Sequence, residues 1–187
     1  MAYFPMFYSL ENKRILLVGA GHISSEKLEK ILDFTNNITI VSPKLSEYIY
    51  NKVLEYNIHI IKREYRVGDI KDFDIVIVAV DNLKVQEEIY FECKKERILC
   101  NCVDLQEYCD FIFPSYIKEG DLTITISTNG SSPAFSKNFK KYLKNIIPKD
   151  ISNFLTQMRI LRKELPKGKE RMKFLDEKAK EYIKSWN

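Results

Sequence analysis

Glycine is scarce in this 187-residue chain. There are six, with six prolines, four cysteines, two histidines and one tryptophan. So few glycines leave little room for phosphate-cradling loops, and each glycine motif must be read singly. No apolar run approaches the roughly 18–20 residues that a membrane helix needs, so no membrane partner is expected. The opening stretch MAYFPMFY lacks the basic n-region and small-residue cleavage site of a secretory signal. A cytoplasmic location is therefore expected. Cys93, Cys100, Cys102 and Cys109 contain no CxxC pair, and only His22 and His59 could join them. The ligand pattern of a structural zinc site is missing, and no metal-binding residue is assigned. Cys100 and Cys102 fall at period two in an apolar run, which puts both on one face of a strand as reduced, packed thiols. Neither sign of charge dominates: 30 Lys+Arg against 26 Asp+Glu leave +4. A nucleic-acid reading would rest on the lysines of 137–149. It fails on that modest balance and on Glu164, Glu170, Asp176, Glu177 and Glu181 in the tail.

What is present is an ordinary globular composition, 45% apolar and 30% charged. Strand and helix patterns alternate. Arg14–Val18, Ile38–Val41, Ile58–Lys62, Asp74–Val80 and Ile98–Val103 read as strands, most of them buried on both faces. Ser24–Phe34, Leu45–Tyr56 and Leu83–Arg97 read as the helices between them. This alternation implies a parallel α/β sheet with right-handed crossovers. After Asp104 the pattern changes. Phe111–Ile117 and Leu122–Ser127, joined by a turn at Lys118–Asp121, read as an antiparallel hairpin. Ser132-Pro133 opens a helix with a cap and an N1 proline, and Pro148 ends it. Two more helices follow, separated by Pro166-Lys167-Gly168.

Three places carry chemistry. Gly19-Ala20-Gly21-His22-Ile23-Ser24 follows the first strand and opens the first helix. This is the context of a dinucleotide fingerprint, in which helix N–H groups hold a diphosphate. The alternative is a tight βα turn that needs glycine for its backbone alone. The acid that usually meets the ribose about 20 residues on is absent; Val41-Ser42-Pro43-Lys44 stands there instead. Ser42 or backbone groups would have to contact the ribose. Lys44 is either a 2′-phosphate contact or a solvated side chain, so spacing alone leaves NAD against NADP open. Second, Asp104 closes a buried strand at the edge where α/β sheets bind ligands, as a candidate proton acceptor or a helix cap. Third, Ser127–Pro133 is a hydroxyl-rich loop before a helix bearing Lys137, Lys140, Lys141 and Lys144. It can cradle anionic groups, carboxylates included, or simply cap a solvated helix.

Taken in order, the motifs resemble the precorrin-2 dehydrogenase family, also called sirohydrochlorin synthase, the N-terminal module of sirohaem synthase. The matching pieces are Tyr3–Phe7, Val18–Ile23 with Lys27, Val41–Pro43, Val78–Asn82, Asn101–Asp104, Phe111–Pro114 and Ile126–Pro133. They cover residues 1 to about 148. The resemblance implies a Rossmann-like sheet, an antiparallel hairpin dimerisation region and a C-terminal helical tail. The divisions are 1–110 for the dinucleotide, 111–148 for dimerisation and substrate, and 149–187 for the helices. It implies NAD-dependent oxidation of precorrin-2 to sirohydrochlorin, toward sirohaem or cobalamin, with Fe²⁺ or Co²⁺ insertion (ferrochelatase activity) found in some members. Cofactor contacts are expected at Gly19, Gly21, His22, Ile23, Ser42, Pro43, Lys44, Val80 and Asp81. Substrate contacts are expected at Asn101, Ser127, Thr128, Asn129, Gly130 and Ser132, and Asp104 is the expected catalytic carboxylate. A homodimer is implied, with the apolar faces around Phe135, Phe139 and Phe154 supplying either the interface or intrachain core. A chain of this length leaves no room for the fused methyltransferase of some relatives, so a separate source of precorrin-2 is expected. Two departures stand out: Asn129 replaces a usual glycine, and Ser24 replaces a usual alanine. The competing reading is a non-catalytic nucleotide-sensing regulatory module, which would need neither Asp104 nor the Ser127–Pro133 loop.

Overall fold

The computed structural model describes residues 3–103 and 105–186. The chain divides into two compact units, Met1–Ile112 and Phe113–Asn187.

In the first unit, β1 (Ile15–Val18), β2 (Ile38–Val41), β3 (His59–Ile61), β4 (Ile75–Val78) and β5 (Leu99–Cys102) form one sheet of order β3-β2-β1-β4-β5. All four pairings are parallel. The sequence reason is plain. β1 and β4 are four-residue aliphatic runs buried at every position, as strands covered on both faces must be. Each such side chain contributes about 1.5–3 kcal/mol on burial. β3 lies at an edge with His59 exposed and is the shortest strand. The order reverses between β1 and β4, which opens a crevice at their carboxyl ends.

Helices α1 (His22–Leu32), α2 (Glu47–Tyr56) and α3 (Leu83–Glu96) make the connections. Ser46 and Asn82 cap α2 and α3, whereas α1 starts at Gly21 without a side-chain cap. It therefore begins two residues before the start that apolar spacing predicts. Beyond β5, a short 3-10 turn (Gln106–Tyr108) leads the chain back beside β5 through an Asn101–Cys109 bridge. Asp110 fixes this return: it pairs with Lys94 and accepts the Cys100 N–H at 2.9 Å. All four cysteines are free thiols. Cys100 Sγ lies 3.8 Å from Cys102 Sγ, so the two share a strand face as their spacing predicts.

The second unit holds β6 (Ser115–Glu119), β7 (Leu122–Ile126), α4 (Pro133–Ile146), α5 (Ile151–Glu164) and α6 (Lys169–Lys184). The hairpin differs in detail from the sequence expectation. Lys118 and Glu119 belong to β6, and the turn shrinks to Gly120-Asp121 because Gly120 takes φ +58°. β6 also starts late, at Ser115: Pro114 has no N–H to donate, and the Phe111 carbonyl is taken by Asn101. The core gathers Ile117, Ile147 and Ile151 with Phe154, Tyr182 and Trp186. The Phe154 and Tyr182 rings stack 3.8 Å apart, so Phe154 is intrachain core. Among the described residues, no helix is long and apolar enough to cross a membrane.

Candidate functional site

The crevice is built around Gly19. Its φ of +97° suits glycine, and a Cβ there would overlap the Ala79 carbonyl at the end of β4. Two bonds hold the strand ends together: Gly19 N to Val41 O at 2.9 Å and Ala79 N to Val18 O at 2.8 Å. Gly21 then opens α1 in an extended conformation. A Cβ on Gly21 would meet nothing within 4 Å, so the space in front of this backbone is open. The first-turn N–H groups of α1 face no capping side chain, leaving them and the helix dipole for an anion. His22 and Ile23 lie on this exposed lip; the His22 side chain is 89% exposed, 3.8 Å from Glu26. Ser24 is fully buried, and its hydroxyl donates to the Ala79 carbonyl at 3.3 Å. The serine thus keeps the close helix–sheet approach that the third fingerprint position requires.

The ends of β2 and β4 complete the rim. Ser42 is buried; its N–H donates to Ile61 O, and its hydroxyl donates to Lys44 O at 2.7 Å. That hydroxyl proton closes the 42–44 loop, and only the oxygen's lone pairs are left for a ribose. Pro43 and Lys44 are exposed. Ser46 N donates to Ala20 O, and the Ser46 and Ser25 hydroxyls lie 3.3 Å apart, so the start of α2 locks the glycine turn. On the other side, the Val80 carbonyl accepts from the buried Gln86 amide at 2.8 Å, Asp81 is exposed, and Asn82 caps α3. The structure therefore brings all nine expected cofactor residues to the carboxyl edge of β1, β2 and β4. Sequence reasoning missed Ser46 and Gln86, and placed Ala79 within the Val78–Asn82 motif without its role against Gly19 and Ser24. Only Gln86 carried a signal, as a polar residue four positions after the Asn82 cap on the inward face of α3.

Asp104, the expected catalytic carboxylate, lies outside the described residues. Asn101 on β5 is buried. Its amide donates to Phe111 O at 2.8 Å and Cys109 Sγ at 3.3 Å, so it pins the returning chain. Burial pushes the Cys109 thiol up, and its Sγ donates to the Cys102 carbonyl.

The Ser127–Ser132 loop belongs to the second unit. Asn129 and Gly130 both take left-handed φ, +49° and +84°, so asparagine holds the conformation that a glycine would. Thr128 Oγ1 accepts the Ser132 N–H at 3.1 Å, and Ser132 caps α4 by accepting from Phe135 N. The loop is a preformed turn with exposed Ser127, Asn129 and Gly130.

Comparison with known proteins decides the family. A family model described as "Putative NAD(P)-binding" matches residues 6–115, more than half of the chain. The chain belongs to this NAD(P)-binding family. A second model, described as "Sirohaem biosynthesis protein central", matches residues 119–145, from the hairpin turn through most of α4. Relatives of this NAD(P)-binding chain include a sirohaem synthase of Pseudoalteromonas translucida, 31% identical over 156 residues, covering 83% of this chain and 33% of the relative. Sirohaem synthase 1 of Serratia proteamaculans is 30% identical, covering 79% and 31%. The chain spans about a third of the length of these curated relatives. Among solved structures, the precorrin-2 dehydrogenase SirC superposes with a TM-score of 0.79 at 22% identity, covering 94% of this chain and 88% of that one. The resemblance read from the motifs is borne out, and so is the fold: parallel sheet, hairpin, then helices.

Proposed function

We propose that this chain oxidises precorrin-2 to sirohydrochlorin with NAD as hydride acceptor. The observation that carries this is the uncapped N-terminus of α1 beneath the Gly19–Gly21 turn, at the point where the strand order reverses. The fit of a dinucleotide is supported by the space in front of Gly21, where a side chain would project and none does. NAD bound there would supply the nicotinamide carbon that takes the hydride. Gly19, Gly21, His22 and Ile23 would hold its diphosphate, the 42–44 loop would flank a ribose, and Val80 and Asp81 would border the opposite half. A ring C–H bond breaks with its electron pair leaving as hydride. Asp104 takes the accompanying proton, and the tetrapyrrole gains a double bond. The loop residues Ser127, Thr128, Asn129, Gly130 and Ser132 are assigned to the polycarboxylate substrate, with the α4 lysines adding positive charge; Asn101, expected to join them, is instead buried with its amide N–H groups donated within the fold, and it holds the returning chain.

The functional divisions 1–110, 111–148 and 149–187 belong to this reading, as do a homodimer and a cytoplasmic setting. Fe²⁺ or Co²⁺ would enter as a substrate inserted into sirohydrochlorin, not as a resident metal. The test is anaerobic incubation of the folded chain with precorrin-2 and NAD. NADH and sirohydrochlorin should appear together, and Asp104→Asn should abolish both while dinucleotide binding persists. Folded protein that binds dinucleotide yet forms no NADH would instead favour the regulatory module. Metal insertion is read separately, with sirohydrochlorin and Fe²⁺ or Co²⁺ in the absence of NAD.

A further inference from the structure

Gln86 is a fully buried amide on the face of α3 that it shares with Ile89 and Cys93. A leucine would fill such a position without taking a polar group out of water. What the amide adds is one bond: its Nε2 donates to the Val80 carbonyl at 2.8 Å. Val80 lies two residues past the end of β4, where the sheet ladder no longer fixes the backbone. On the other side, Val80 Cγ1 comes to 3.1 Å from where a Cβ on Gly19 would stand. Val80 is therefore wedged between the glycine turn and α3, with Gln86 holding its carbonyl. The same residue makes a second connection through its backbone, whose carbonyl accepts from the Cys102 thiol at 3.4 Å. Cys102 ends β5, two positions before Asp104 in the sequence. The neighbouring Val103 N–H donates to Val78 O at 3.0 Å. The first turn of α3 thus ties the Val80–Asp81 wall to the strand end that leads to the assigned proton acceptor.

We propose that Gln86 is a positioning residue for hydride transfer: it fixes the wall against which the reacting half of the dinucleotide would lie. The proposal rests on the dehydrogenase reading and deepens it by naming what orients the cofactor once its diphosphate is held. Affinity would come from the α1 N-terminus and orientation from Gln86, so its loss should fall on turnover. The test compares Gln86→Met and Gln86→Leu in the full chain, which keep most of the volume and delete the donor. The control is Ile89→Ala, which opens the same core one turn along α3. Each variant is read by melting without ligand, by calorimetric NAD affinity, by anaerobic precorrin-2 turnover and by the fluorescence of bound NADH. The Gln86 variants should lower kcat by about tenfold or more and keep NAD affinity within about threefold. Their NADH fluorescence should fall toward that of free NADH, as the ring is held less firmly. Ile89→Ala should melt lower yet keep wild-type kcat and fluorescence at temperatures where it is folded. The proposal is overturned if the Gln86 variants keep wild-type kcat and fluorescence, if they lose NAD affinity instead of kcat, or if Ile89→Ala loses as much turnover. Failure of both Gln86 variants to fold would also overturn it, by making the amide a requirement of folding. Wild-type protein that forms no NADH from precorrin-2 would instead bring down the dehydrogenase reading, and the fluorescence comparison would still decide the positioning.

Discussion

At the scale of single residues, the two fingerprint glycines serve different ends, and substitution should separate them. Gly19 is required by the fold: its φ is left-handed, and a methyl group there would overlap the Ala79 carbonyl. Gly19→Ala should destabilise the protein by about 1–3 kcal/mol or more, seen as a lower melting temperature without any ligand. Gly21 has an ordinary φ of −87° and empty space where a Cβ would go. Gly21→Ala should therefore melt near the wild-type temperature yet lose dinucleotide affinity, because its methyl group occupies the approach to the α1 N–H groups. Equal loss of stability in both variants would contradict this division. Asn129 offers a milder case. It sits at φ +49° with its N–H donating to Ser127 Oγ. Asn129→Gly should be tolerated, whereas a β-branched Asn129→Val should disorder the loop and raise the KM for the tetrapyrrole.

At the scale of elements, the β3–β4 connection shows how a stretch without regular structure is held in place. Glu92 on α3 accepts the Tyr65 hydroxyl at 2.6 Å and the Gly68 N–H at 2.7 Å. Burial, with this carboxylate as neighbour, raises the Tyr65 phenol far above its usual range. Within the loop, the hydrogen bond from Arg63 holds the Asp69 carboxyl below the usual carboxylate range, against the opposing effect of burial. Because the folded value is depressed, this pair contributes stability that is complete above the unfolded pKa of about 4. That stability is lost as pH falls through the lower folded value. Asp69→Asn should lower the melting temperature at neutral pH and flatten its decline below about pH 4; an unchanged acid limb would show the pair to be inert. The strands flanking this loop were legible because β-branched runs such as Ile38–Val41 and Ile75–Val78 need no partner to be recognised. The loop's anchoring was not legible, since Glu92 meets Tyr65 only after α3 has packed on the sheet. The same limit applies at the site. The glycine turn announced itself through strand–Gly–helix order, but the locking of that turn by Ser46 and Ala79 depends on chain segments 25 and more residues away.

At the scale of the whole molecule, α4 presents a surface that its own unit leaves uncovered. Phe135, Phe139 and Tyr142 are 56%, 38% and 59% exposed, and Ile146 continues their stripe at 41%. Successive rings stack 5.4 and 6.2 Å apart along the helix. Phe154, which the sequence grouped with them, is packed against Tyr182 inside the unit. The two sets should therefore respond differently. Phe154→Ala removes a half-buried ring stacked on Tyr182 and should cost less than the ~3–5 kcal/mol of a fully buried phenylalanine, still lowering the melting temperature. Phe135→Ser with Phe139→Lys removes apolar area that water already reaches, so the fold should keep its stability apart from any contributed by association. If the stripe forms the proposed homodimer interface, light scattering coupled to size exclusion should show a dimer for the wild type and a monomer for this double variant. Melting of the wild type alone should then depend on protein concentration, because a partner bound only by the native state stabilises by mass action. A wild-type chain that is monomeric at high concentration, or a double variant that stays dimeric, would place the interface elsewhere or remove it.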